Sequence, residues 1–497
     1  MSFVCNFPLF CIILTLFSGV ICAVLKPHAA KVVSLGILLM NLVLNSCVLA
    51  FVLETGEPII YMMGHYPAPW GNEIRVGVLE AVLAIAFSIV MLLSLLGGMK
   101  HIFEDAEDTK TNFYFLMVNL LFVSMLALIY TNDLFTGYVF VEINTIAACA
   151  IVMLRKKKET LVATARYLAL SLLGSGMFLM GIIILYDLTG HLLMSNIYVS
   201  VQALAKSGAY AIPLEVVIAL FCVGLATKSA LFPFHSWLPD AHGSATSASS
   251  AILSGLVLKG YIILLIKVMY RVIGLSVFRY SKGANVLYVL GLCAMIVGSV
   301  HAMRERNIKK MIAYSSIAQI GYIYMGIGLA TTAGIAAAIF QILAHAFTKP
   351  MLFCAAGGFM EVSGESKAFH RIKGAGRRNM MAGLAFAVGS MSMIGIPLFS
   401  GFVTKYLLAG AAIQASPVKM AMGLVVLAVS TMLNALYYIP ALMVVFAKTD
   451  DPVVWFPDKK NRSFAFAMIV LIIFNFVLGC CSTPLMNLIL KGLAMFA

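Results

Sequence analysis

Five lysines, Lys228, Lys259, Lys267, Lys349 and Lys405, and one carboxylate, Glu142 in LFTGYVFVEINTIAACAIVML, fall inside otherwise apolar segments of this 497-residue chain. An ionisable group at the centre of a membrane helix costs about 2.5–3.5 kcal/mol even on the lenient scale, so each should face protein or water and have a partner. A lysine removed from water tends to give up its proton, and a nearby glutamate keeps it charged. Moving that carboxylate away would make the lysine release its proton. A row of such groups, joined by water, histidine and hydroxyls, is therefore a chain of coupled proton stations. A static ion pair between Glu142 and one lysine is the plainer alternative. Lys228, Lys259 and Lys405 read as functional, whereas Lys267 and Lys349 read as side chains snorkelling from helix ends.

Histidines extend the row. His345, in IFQILAHAFTKPMLF, lies inside a span, and an imidazole titrating at about pH 6.5 is suited to passing protons. A packed histidine bonded to a neighbouring hydroxyl is the alternative there. His235 and His242 flank Trp237 and Pro239 in FPFHSWLPDAH, which enters a connection, so a capping or interfacial role stands beside a relay role. Three prolines mark expected helix breaks: Pro233 five residues after Lys228, Pro350 directly after Lys349, and Pro397 eight residues before Lys405. Interrupted helices expose backbone dipoles and admit water, and transporters place ion sites there.

The elements that must position these groups are membrane helices. Hydrophobic residues make up 62% of the chain and charged residues 11%, and the mean hydropathy is +1.01. Hydrocarbon satisfies no backbone hydrogen bond, so only helices or closed barrels cross it, and long unbroken apolar runs choose helices. A span needs about 20 apolar residues. The sequence supplies fourteen such stretches, beginning near Val4, Val32, Val76, Phe113, Leu134, Leu161, Ile212, Ser247, Val286, Ile308, Ala333, Met381, Lys419 and Ser463. They form one transmembrane domain over 1–497, with spans one to three in 1–112, four to eight in 113–270, nine to thirteen in 286–447 and the last in 463–490.

The longest connections, 54–75 and 187–211, are too short to build a water-soluble core, so soluble chemistry is expected from partners and no cofactor or redox centre from this chain. Ten cysteines are scattered without a CxxC, and the one close pair, Cys480 and Cys481, is expected on a single helix, which argues against an iron–sulfur or other metal site. The opening MSFVCNFPLF lacks a basic n-region, so Met1 is expected to be retained.

A net charge of +14 could suggest nucleic acid, but the basic residues sit in short clusters between apolar runs, which points to topology instead. With the N-terminus outside, 21 Lys and Arg fall in the inward connections, including Arg155 to Lys158, Arg304 to Lys310, Lys367 to Arg378 and Lys448 to Arg462. The outward side holds 7, of which Arg271, Arg279 and Lys282 locally oppose the rule. Both termini are thus expected on the non-cytoplasmic side of a cell membrane.

KSALFPFHSWLPDAH (228–242), SAILSGLVLKGY (250–261), RNIKKMIAYSSIAQIGYI (306–323), HAFTKPMLF (345–353) and GIPLFSGFVTKY (395–406) resemble the signature segments of the antiporter-like subunits shared by respiratory complex I, membrane-bound hydrogenases and Mrp-type antiporters. The likeness covers roughly spans four to thirteen in order. It implies an all-α polytopic fold of fourteen helices, two inverted five-helix repeats with helices 7 and 12 broken, and a hydrophilic axis in the membrane plane. The residues alone display no repeat, because lysine precedes proline near 228 and follows it near 405. Position by position, the resemblance makes Glu142 the helix-5 glutamate, Lys228 its helix-7 partner, Lys259 the helix-8 lysine, His345 the helix-11 relay and Lys405 the helix-12 terminal group. His235, His242 and Lys349 are further candidates for relay or access.

Some features narrow the family and some depart from it. Position 405 is glutamate in certain branches, so Lys405 argues against those, and GHYPAPWGNEIRVGVLEAVLA is more similar to the Mrp and hydrogenase branch. After His242 many members carry an acid and then Ala-Pro, whereas HGSATSASS places Ser244 and Thr246 there, which leaves the local bend in question. The chain ends at Ala497, without the long lateral helix of the largest members.

The resemblance implies translocation of H+ or Na+ by a subunit of a redox-driven complex, with other membrane subunits, further antiporter-like ones among them, and lipid as neighbours. A multi-subunit Na+/H+ antiporter without redox chemistry is the first rival. A solute transporter would need a pocket of varied polar groups, and a passive structural subunit would tolerate loss of every buried charge.

Overall fold

The computed structural model describes residues 3–105, 110–155, 157–208, 210–449, 451–456 and 461–496. Met1, Ala497, Lys156 of one inward cluster and Lys459 and Lys460 of another lie outside the described residues. Helices α1 (Phe7–Val24) and α2 (Pro27–Thr55) lead into a short antiparallel hairpin, β1 (Ile59–Met62) with β2 (Glu73–Val76), registered Ile59 to Val76 and Met62 to Glu73. Then follow α3 (Val78–Asp105), α4 (Thr111–Tyr130), α5 (Leu134–Val152), α6 (Lys158–Thr189) and a surface helix, α7 (Met194–Ser207), within the connection after α6. The middle of the chain contains α8 (Ala211–Lys228), α9 (Trp237–Ser244), α10 (Ser247–Ile252), a π turn at Leu253–Val257, α11 (Leu258–Arg271) and the short α12 (Leu275–Tyr280). The rest comprises α13 (Lys282–Arg304), α14 (Ile308–Gly328), α15 (Thr332–Glu361), α16 (Ala375–Arg378), α17 (Met380–Ile394), α18 (Ser400–Ile413), α19 (Pro417–Val445), α20 (Arg462–Cys480) and α21 (Ser482–Ala494).

Among the described residues twelve helices, with α10 and α11 counted as one, are long and apolar enough to cross a membrane. Together with α14 and the split pair α17 and α18 they make the fourteen passes read from the sequence. Local signals start many of them, since side chains of Asp133, Thr246, Ser281, Asn307, Thr331 and Asn379 accept backbone N–H groups in the first turns. Thr246 and the preceding Ala245 build the bend between α9 and α10 without the proline expected there.

Two breaks interrupt passes seven and twelve. The chain leaves α8 at Lys228, turns through 229–236 around Pro233 and resumes as α9. It leaves α17 at Gly395, whose φ of 92° is left-handed and favours glycine, and resumes beyond Pro397 as α18. The half-helices α17 and α18 have 15 and 14 residues, about 22 and 21 Å of rise, which puts this break well inside the membrane.

Three expectations need correction. Pro350 sits inside an unbroken α15, and the irregularity lies across from it, in the π turn whose Gly255 packs against the Pro350 ring. FPFHSWLPDAH does not run into a connection: its second half is the buried half-helix α9. The last pass does not continue to 490, because α20 stops at Cys480, so Cys480 and Cys481 are not on one helix and α21 follows separately.

The centre of the bundle is α15 with the α10–α11 segment. Every residue from Gly334 to Met360 is buried, as is every residue from Ser247 to Met269. Polar side chains on these elements therefore face protein, never lipid.

Candidate functional site

At the first break Lys228, the last residue of α8, is fully buried. Its ammonium donates to Thr145 Oγ1 at 2.7 Å and lies 5.3 Å from the Tyr261 ring centre, while Tyr261 Oη is 3.2 Å from the same hydroxyl. Glu142 is one turn before Thr145 on α5, half-buried, with Oε1 enclosed and without a hydrogen-bond partner. Among the described residues no ion pair joins Glu142 to Lys228, so the expected pair is not formed and the ammonium is held by a hydroxyl instead.

At the second break Lys405 folds back from α18 to donate to the carbonyls of Ile394 and, at 3.5 Å, Met393, the last of α17. A Cβ on Gly395 would lie 2.9 Å from its Nζ, so glycine is needed for the approach as well as for the turn. Both break lysines thus sit at the C-terminal end of the first half-helix, where backbone carbonyls favour a cation. In the sequence one precedes its proline and the other follows it, which hid this correspondence.

Between the breaks the central helices collect basic groups. Lys259, His345, Lys349 and His242 are all fully buried. Lys259 donates to the Ser254 carbonyl in the π turn, and Lys349 to Ser315 Oγ and, at 3.0 Å, to the Ile312 carbonyl. Snorkelling is therefore wrong for Lys349. It is also wrong for Lys267, which is fully buried and donates to the carbonyls of Ile129 at 2.6 Å and Thr131 at 2.7 Å at the end of α4. His242 stacks on Phe353 at 4.6 Å between ring centres, a packed position and not an interfacial one. His235 is half-buried beside His301, 6.2 Å away between ring centres. Among the described residues neither ring nitrogen of His345 or His242 has a hydrogen-bond partner.

A polar link joins Lys405 to Lys259 through α19 and α14. Asn434 donates to the Met393 carbonyl at 3.1 Å and accepts from Tyr437 Oη at 2.8 Å. The neighbouring ring of Tyr438, 4.7 Å away between centres, has its hydroxyl 2.8 Å from Ser315 Oγ, which Lys349 also contacts. Ser316 then meets Ser254 at 3.0 Å, and Ser254 carries the carbonyl bonded by Lys259. Apart from the Tyr437–Tyr438 ring contact, the Ser315–Ser316 backbone step and the passage from the Ser254 hydroxyl to its own carbonyl, each step is a hydrogen bond. Among the described residues no hydrogen bond joins Lys259 to the Lys228 group; they are linked along α11, where Tyr261 is two residues on.

Several members of this arrangement were not legible in the sequence. Lys309, counted with the basic connection residues, is fully buried and donates to the Ala245 carbonyl at 2.6 Å, whereas its neighbour Lys310 turns out to Asp240 at 3.0 Å. Their opposite fates follow from helical phase, since Lys309 shares a face with Ala313 and Ser316. Arg271 is likewise not an exposed outward charge. It is buried, 3.4 Å from Glu80 and 2.6 Å from Asn132 Oδ1, which takes it out of the local exception to the charge bias, while Arg279 and Lys282 remain exposed there. Glu80 is thus a second enclosed carboxylate, at the very start of its apolar run.

Residues 131–431, more than half of the chain, match a family described as NADH:quinone oxidoreductase/Mrp antiporter, transmembrane. The chain belongs to that family. It is an antiporter-like membrane subunit, and the matched region contains both breaks and all the central lysines. The chain is 30% identical to NADH-quinone oxidoreductase subunit N of Desulforudis audaxviator over 78% of its length and 76% of the relative's. It is 28% identical to a putative antiporter subunit mnhD2 of Staphylococcus haemolyticus over 97% of its length and 92% of the relative's. Among solved structures it superimposes, with a TM-score of 0.87 and 27% identity, on a chain of the membrane-bound sulfane sulfur reductase, an archaeal respiratory membrane complex, covering 98% and 97% of the two chains.

Proposed function

We propose that the chain moves protons across the membrane through Glu142, Lys228, Lys259, His345 and Lys405, as one subunit of a redox-driven membrane complex. The observation that carries this reading is the polar link from Lys405 to Lys259, in which lysines, tyrosines, serines and an amide meet inside an otherwise apolar bundle. Such groups can hand on a proton, and they form a poor Na+ path. The carbonyls at the end of α17 are occupied by the Lys405 ammonium, in the kind of position where transporters coordinate a cation. Lys349 belongs to the row, with His235 and His242 toward its access. The basic connections favour a cytoplasmic face opposite both termini.

The redox drive is supported by the likeness to a quinone oxidoreductase subunit and to a chain of a respiratory complex. A second reading, an Mrp-type Na+/H+ antiporter subunit, is favoured by the nearly full-length match to mnhD2. Copurification in mild detergent, mass spectrometry of the bound subunits and proton uptake into reconstituted vesicles separate the two. Redox subunits and uptake that stops without an electron donor are expected. Sodium-driven proton exchange without electron flow would move the chain to the second reading, and normal uptake by a Lys259→Ala complex would overturn the path itself.

A further inference from the structure

On its ridge of every fourth residue α15 carries His345, Lys349, Phe353, Gly357 and Glu361. The first two belong to the central row, and the last reaches the end of the helix, where Lys100 pairs with Glu361. Between them, at Gly357, α3 and α10 converge. A Cβ placed on Gly357 would lie 2.5 Å from Ser247 Oγ and 3.2 Å from His101 Cε1, so the bare backbone lets both side chains approach it. One turn deeper, His242 stacks on Phe353.

His101 is 4% exposed and Ser247 2%. His101 Nε2, Ser247 Oγ and both nitrogens of His242 are enclosed without a hydrogen-bond partner among the described residues. A buried polar group left unpaired is costly, and orphans gathered beside one ridge are best satisfied by shared water. At the outer end, Glu361, Glu365, Asp105 and Glu104 all lie within electrostatic range of His101. At the inner end, His242 lies within the same range of Lys259, Lys309 and Lys349.

We infer that His101, Ser247 and His242 form a proton-access path that joins the carboxylates around Glu361 to Lys259 and His345. This rests on the proton reading above. A proton arriving at Glu361 moves to the His101 imidazole, the Ser247 hydroxyl accepts it while giving its own proton toward His242, and His242 passes it to the lysines. One proton enters, one leaves, and each group returns to its starting form. His101 is a relay residue that neither the motifs nor the breaks would have selected, because it follows Lys100 at the end of an ordinary apolar helix.

The test uses the assembled complex in proton-loaded or proton-accepting vesicles. His101→Gln should lower proton transport about tenfold or more, in keeping with the loss of a proton-transfer group, while copurifying subunits stay at wild-type ratios. Ser247→Ala should lower it several-fold, and added imidazole should restore a His101→Ala complex. If His101→Gln and Ser247→Ala transport normally while Lys259→Ala is dead, the access path is wrong and the proton reading stands. If all three transport normally, the reading itself falls. A His101→Ala defect that imidazole leaves untouched assigns the histidine to packing and overturns the path. Should the His101 variants not assemble, Ser247→Ala decides alone, since it removes only a hydroxyl that has no protein partner.

Discussion

Lys228 gives its proton-bearing nitrogen to Thr145 Oγ1 at 2.7 Å, one helical turn beyond Glu142 on the same helix. The carboxylate lies within electrostatic range of the ammonium, whose hydrogen bond goes to the hydroxyl instead. Glu142→Gln removes the charge with little change in volume and should impair proton transport at least tenfold with assembly intact. Thr145→Val keeps the shape and removes one partner of a buried ammonium, a loss of about 1–3 kcal/mol, and should slow transport less than Glu142→Gln. Proton uptake by reconstituted complexes checks both, and normal rates in both would reduce the group to structure.

If the stations act in series, Lys405→Ala should block transport as fully as Lys228→Ala. Tyr438→Phe, which deletes only the hydroxyl 2.8 Å from Ser315, should lower the rate while leaving thermal stability nearly unchanged. A mild Lys405→Ala phenotype beside a dead Lys228→Ala would mean independent branches.

Gly395→Ala should lower the thermal stability of the detergent-solubilised protein, because a Cβ at φ 92° costs about 1–2 kcal/mol and would also crowd Lys405 Nζ at 2.9 Å. A melting temperature equal to wild type would mean that the turn relaxes.

Lys367, in the connection after α15, donates to the Gly243 carbonyl at 2.6 Å. Burial, with Arg155 and Lys157 nearby, pushes its amine down from 10.5 to about 8. Below that value the amine is charged in the folded and unfolded chain alike and the burial penalty is fully present. Between about pH 8 and 10.5 the unfolded chain keeps a proton that the folded chain has released, so this group makes stability rise with pH. Thermal unfolding of wild type and Lys367→Met across that window should show the wild type gaining on the variant, and parallel curves would contradict the assignment.

Tags on the two ends should both be accessible from the non-cytoplasmic side. A cytoplasmic label on either would overturn the number of passes or the orientation.

The passes were legible because hydrocarbon leaves so few options: apolar length and capping residues fix where helices start, and proline marked both real breaks. What a linear reading could not resolve was azimuth. Lys309 and Lys310 are identical in type and adjacent, yet one is enclosed and one reaches Asp240. Lys267 and Lys349 looked like residues reaching for water, because nothing in their neighbourhood announces that α11 and α15 are enclosed on all sides. Pro350 showed the converse. It carries the strongest local break signal in its span, but the turn's irregularity was taken up by the neighbouring helix, where Leu253–Val257 is an apolar and serine-bearing run with no distinctive composition. Asn434, Tyr437, Tyr438 and Ser315 are ordinary span residues in the sequence and become a connected set only when α14 and α19 lie together.

That π turn also sets the timing of everything after it. One surplus residue in the winding rotates the remainder of the helix by about 100°, so Lys259, Tyr261, Lys267 and Arg271 point where they do because of a local overcount and not because of their own spacing. Winding 253–257 as regular α-helix with every residue kept would, with no change in the composition of α11, swing all four side chains together away from Ser254, Thr145, the end of α4 and Glu80, whereas removing one residue would close the turn and keep them in phase. The amino acids that define the row are therefore necessary but not sufficient: its alignment is stored in a local winding, and relaxing that winding would erase it while leaving every lysine in the sequence.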